Sequence, residues 1–116
     1  MGINIKSSSV IHWMVNSDEA TFLLPLFSGL SNGREFYFIF NESVGGVFKC
    51  ACSGDENDYI KIDGVNIFLW LSRDTIDLVI NKLERFLVDG YFMSPEVCDC
   101  INKKKGKPVS IYFIGM

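Results

Sequence analysis

Tyr59-Ile60-Lys61-Ile62-Asp63-Gly64-Val65-Asn66-Ile67-Phe68-Leu69-Trp70-Leu71-Ser72 is the stretch on which the fold class turns. Two apolar, β-branched and aromatic runs flank Asp63-Gly64, a pair that favours the positive backbone angles of a tight hairpin turn. Residues 59–62 and 65–71 are therefore expected as paired strands. Ser72 then supplies an N-cap oxygen, and Ile76, Val79, Ile80, Leu83, Phe86 and Leu87 recur at helical spacing until Gly90. A helix over 73–89 follows the hairpin and packs on it.

Upstream, Glu35-Phe36-Tyr37-Phe38-Ile39-Phe40 places Phe on every even position, as a strand with one buried face requires. Gly45-Gly46 turns this strand into 47–52, with Phe48, Cys50 and Cys52 on one face and Lys49 on the other. Before it, Asn16-Ser17-Asp18-Glu19 has a cap residue followed three later by Glu, and it opens a helix over 17–30. Pro25 removes one backbone donor from that helix, so a kink or two short helices are expected. Residues 3–15 read as extended around Ser7-Ser8-Ser9.

Downstream, Ser94-Pro95-Glu96 reads as the start of a short helix, closed near Asn102 by lysines that suit a helix C-terminus. Residues 109–114 form a last strand. No internal repeat is apparent. Together these segments predict a single α+β domain over 1–116: a mainly antiparallel sheet of about five strands, with two to three helices packed on it.

With 48% apolar residues and ten Phe, the chain has ample surface for a core and is not disordered. Charged or amide residues interrupt every apolar run well short of a membrane span, and the first residues carry no secretory pattern. A cytoplasmic protein with reduced thiols is the expectation. Residues 1–102 hold all fourteen acids against seven Lys and Arg, while Lys103, Lys104, Lys105 and Lys107 form one basic turn. Such a turn on an acidic body offers little counterion release, so no nucleic acid partner is expected.

Cys50, Cys52, Cys98 and Cys100 are the right number of thiols for a tetrahedral zinc site, but pairs with one intervening residue lack the usual two-residue knuckle. Buried thiols fit the spacing better. His12 is the sole histidine and has no motif partner. Gly45-Gly46 and Gly54 lack the Lys-Ser or Lys-Thr of a phosphate loop. The loop acids lack the spacing of a calcium-binding hand. No cofactor and no enzymatic activity are expected.

The remaining feature is the cluster of carboxylates at hairpin ends: Asp55, Glu56, Asp58, Asp63 and Glu42. Such acids steer a basic partner. A small acidic domain with an aromatic-rich sheet, no catalytic signature and a composition leaning to AT-rich codons resembles the immunity proteins of bacterial polymorphic-toxin and contact-dependent growth inhibition systems. The resemblance implies binding and neutralisation of a cognate toxin domain, often a basic nuclease. On that expectation Asp55, Glu56, Asp58 and Asp63 provide the charge and Tyr59 an anchor. A small acidic secretion chaperone, or a zinc- or thiol-dependent protein using the Cys pairs, are the alternatives.

Overall fold

The computed structural model describes residues 1–41 and 45–116. Its elements run β1 (Gly2–Ser7), β2 (Val10–Val15), α1 (Ser17–Leu30), β3 (Phe36–Phe40), β4 (Gly46–Cys52), β5 (Tyr59–Asp63), β6 (Asn66–Leu71), α2 (Arg73–Asp89), β7 (Glu96–Asn102) and β8 (Pro108–Gly115). The eight strands form one sheet in the order β1-β2-β8-β7-β5-β6-β4-β3. Consecutive strands pair antiparallel as β1/β2, β3/β4, β5/β6 and β7/β8, and the hairpins are joined in parallel through β2/β8, β4/β6 and β5/β7. This corrects the expectation of about five mainly antiparallel strands with two to three helices. Among the described residues the sheet is mixed, has eight strands, and carries two helices.

Two local patterns account for the difference. The segment 3–15 is a hairpin, since Ser7 to Ser9 bends the chain back on itself and Ile3 pairs with Trp13. Residues 96–102, expected as a helix, are strand β7. Val97, Cys98, Cys100 and Asn102 are buried while Asp99 and Ile101 are exposed, a period of two broken only by a bulge at Glu96 to Cys98. Cys-Asp-Cys-Ile-Asn alternates, and that alternation outweighs the Ser-Pro-Glu cap signal. Lys103 to Lys107 consequently sit between two paired strands rather than at a helix end.

Both long helices form as their caps dictate. Asn16 and Glu19 exchange side-chain to backbone bonds in a complete capping box at α1. Ser72 caps α2, and Gly90 ends it in the left-handed conformation at φ 80°. Helix α1 continues through Pro25 as one helix, because Pro25 lies on its exposed side, where water can satisfy the carbonyl freed by the missing N–H.

The topology contains a duplication invisible in the residue identities. β1-β2-α1-β3-β4 and β5-β6-α2-β7-β8 are equivalent ββαββ halves. The buried positions of α1, Ala20, Leu23, Phe27 and Leu30, reappear 56 residues later in α2 as Ile76, Val79, Leu83 and Phe86, and the caps Asn16 and Ser72 share that offset. The four strands of the second half are contiguous in the sheet, and the two hairpins of the first half flank them through β2/β8 and β4/β6.

At the junction of β5 with β7, the Ile101 N–H bonds the Asp58 carbonyl at 2.8 Å and the Lys103 N–H bonds the Ile60 carbonyl at 2.9 Å. The equivalent place in the other half is the seam between the two edges of the sheet. There the Asn41 N–H bonds the Met1 carbonyl at 3.2 Å, while its side chain donates to the Ile3 carbonyl at 2.8 Å and accepts from the Ile3 N–H at 3.2 Å. Asn41 takes a left-handed φ of 47°, which asparagine tolerates better than most residues. Its amide stands in for the next peptide of a strand.

The sheet thus curls until its edges meet. On the concave side the Trp13 ring of β2 reaches Phe48 of β4 at 4.7 Å and Phe27 of α1 at 6.0 Å. Helices α1 and α2 pack together inside this curl, and buried residues from both helices and every strand form one core. The convex face carries the alternate set: His12 and Tyr112, then Ile101, Tyr59, Lys61, Phe68, Trp70, Ala51, Lys49 and Tyr37. No helix among the described residues is long and apolar enough to cross a membrane.

Candidate functional site

The β4–β5 loop, Ser53 to Asp58, runs past the N-terminal end of α2. Its polar residues have no core to enter, so they fold on themselves. Ser53 Oγ bonds the Asp55 backbone, and Asp55 Oδ1 accepts the Asn57 N–H at 2.8 Å. The Tyr59 hydroxyl donates to Asp55 Oδ2 at 2.9 Å. The Asn57 amide first, and then the Tyr59 hydroxyl, hold the Asp55 carboxyl below its ordinary range. Asp55 is thereby a fixed and ionised acceptor, although fully open to solvent.

The five residues singled out from the sequence do not form one patch. Asp58 is committed to the fold: Oδ1 accepts the Ser72 N–H and Oδ2 accepts the Thr75 hydroxyl, both at 2.7 Å. It buttresses the Ser72 cap of α2, where a negative charge complements the helix dipole. Asp63 lies at the far end of β5, about 13 Å from Tyr59 at strand rise, and pairs with Lys104 at 3.6 Å. Of the four acids expected to cluster at hairpin ends, the structure sets Asp58 and Asp63 apart from the other two. Asp55, Glu56 and Tyr59 stay together. Glu42 lies outside the described residues.

Asp55 and Glu56 instead share an open groove of about 510 Å³ with Cys52, Gly54, Ser72, Arg73 and Asp74. Asp74 was not anticipated, because on the sequence it is only a first-turn acid of α2. Folding brings it opposite the loop. Three carboxylates face one cation there, and Glu56 has no polar partner among the described residues. Trp70, the register partner of Tyr59, and Lys103, whose Nζ stands 4.1 Å from the Trp70 ring centroid, continue this surface onto the convex face. Neither residue was picked out as a site residue. In the sequence Trp70 is one of a run of apolar strand residues, and nothing local marks the face it takes.

Cys98 and Cys100 lie with their sulfurs 3.2 Å apart in the core, and Cys50 is buried as well. The contact with Cys100 and then burial push the Cys98 thiol up, and burial does the same to Cys50. Neutral, enclosed thiols of this kind are poor nucleophiles. Among the described residues, no three His, Cys, Asp or Glu are placed to hold a metal ion. His12 sits edge-on to Tyr112 on the convex face, with ring centroids 5.8 Å apart. Comparison with protein-family models, with curated proteins and with solved structures returned no match.

Proposed function

We propose that this protein is a binding module for a positively charged protein partner, and that it neutralises a cognate bacterial toxin domain in the manner of an immunity protein. The observation that carries the reading is the groove in which Asp55, Glu56 and Asp74 converge beside the N-terminus of α2. Asp55 is locked by two donors before any partner arrives, so little side-chain freedom remains to be lost on binding. The surrounding negative charge speeds encounter, whereas contacts inside the groove set the lifetime of the complex.

Asp58 and Asp63 drop out of the contact set, since one holds the start of α2 and the other pairs with Lys104. Tyr59 acts through Asp55 and through its ring. The test uses the protein encoded immediately upstream, expected to end in a basic domain. The chain should capture it at low salt and release it as ionic strength rises. The double variant Glu56→Lys, Asp74→Lys should lose at least about a hundredfold in affinity, as expected when charge pairs across an interface become like-charge contacts. Unchanged affinity in a double variant that keeps its circular dichroism and melting behaviour would sink the groove assignment.

A further inference from the structure

Beside the groove, on the convex face, an aromatic pair already holds a cation. Trp70 and Tyr59 are cross-strand neighbours on β6 and β5. Lys103 Nζ lies 4.1 Å from the Trp70 centroid and 5.3 Å from that of Tyr59. The lysine makes no salt bridge among the described residues. Its backbone is pinned: the Lys103 N–H bonds Ile60, and Asn102 Oδ1 accepts the N–H groups of Lys104 and Lys105. Only the four-carbon arm is free to leave.

Three observations make this a seat rather than a packing contact. The rings form an electron-rich platform at which a cation is attracted to the ring faces. Asp55, bonded to the Tyr59 hydroxyl, supplies a carboxylate at its rim. The seat joins the groove through that same Asp55, while Lys61, next along the face of β5, repels a cation from the opposite side. An entering cation is thus directed in from the groove.

We propose that Trp70 and Tyr59 form a docking seat for a guanidinium group of the cationic partner, occupied in the free protein by Lys103. The proposal rests on the reading of the partner as positively charged, and it names the chemistry that is recognised. Arginine is better suited than the resident lysine. Its planar, weakly hydrated head stacks on an indole and can bond the Asp55 carboxylate at the same time, whereas an ammonium keeps its water. Lys103 keeps the apolar rings covered until exchange.

The probe is hexa-arginine peptide at low salt, followed by calorimetry and by the indole N–H resonance of Trp70, assigned through Trp70→Phe. Peptide binding should shift that resonance. Lys103→Ala, with the seat emptied, should bind about three- to tenfold tighter, the range expected for one partly exposed cation–π contact. Trp70→Ala should abolish the gain, and Trp70→Phe, which keeps a ring, should retain part of it. Lys103→Ala binding no tighter, a silent Trp70 resonance during saturation, or oligothymidylate binding in place of the peptide each overturn the seat. The groove is judged separately. If Glu56→Lys, Asp74→Lys leaves the protein partner bound while Lys103→Ala still gains on hexa-arginine, the groove assignment fails and the seat stands. If the peptide needs the groove acids but never moves Trp70, the reverse holds.

Discussion

Asp55 shows how a residue on an open loop becomes a defined chemical group. Two donors, the Asn57 amide and the Tyr59 hydroxyl, favour its ionised form, so its folded-state pKa lies below the unfolded one. The sign of the linkage follows: the contribution to stability is present above the ordinary carboxylate range and is lost as pH falls through the folded-state value. A carbon-detected titration should find the Asp55 midpoint below the ordinary range of an aspartate carboxyl. Tyr59→Phe should raise it without restoring it fully, because the Asn57 bond persists. An ordinary midpoint in the wild-type protein would contradict the bonding. At this scale the sequence was informative, since Asp55, Glu56 and Tyr59 were singled out on charge and aromatic character and do lie together. Asp58 was indistinguishable from them, because nothing local reveals that a loop acid will meet the amide of a helix fourteen residues further on.

At the scale of elements, that same Asp58 ties the start of β5 to the start of α2. The tether satisfies the N-cap N–H of Ser72, which has no intrahelical partner, and adds a charged acceptor where the helix dipole is positive. Asp58→Ala should lower stability by about 3 kcal/mol, as expected for two hydrogen bonds to a carboxylate, and Thr75→Val by about half as much. Urea unfolding measures both. A loss below about 0.5 kcal/mol for Asp58→Ala, the range of ordinary surface changes, would show the tether to be idle. The helices were legible because their signals are local: Asn16 with Glu19, Ser72, Gly90 and a strong apolar stripe. Strand β7 was not. Its cap-like Ser-Pro-Glu opening and lysine-rich exit imitate helix punctuation, and only the burial of alternate residues by the sheet distinguishes the two.

For the whole molecule, strand pairing is decided by contacts distant in sequence, and this is where the reading of residues ran out. Parallel joints such as β2 with β8 leave no local mark, and the two halves share positions rather than amino acids. Asn41 illustrates the point: an unremarkable loop asparagine closes the curl by bonding both backbone groups of Ile3. Asn41→Gly, which keeps access to the left-handed backbone, should cost about 1–2 kcal/mol for the lost bonds, and Asn41→Ala about 1 kcal/mol more for backbone strain. In both variants the Ile3 amide should lose its protection from hydrogen exchange. Full protection would mean that the edges are held by other means. The seating of β8 between β2 and β7 has a kinetic side. It is the last of the described elements to emerge during synthesis, yet it is the neighbour of β2 outside the first hairpin. Until β8 is made, β2 therefore exposes a bare row of amides and carbonyls, an edge for which a neighbouring nascent copy can compete.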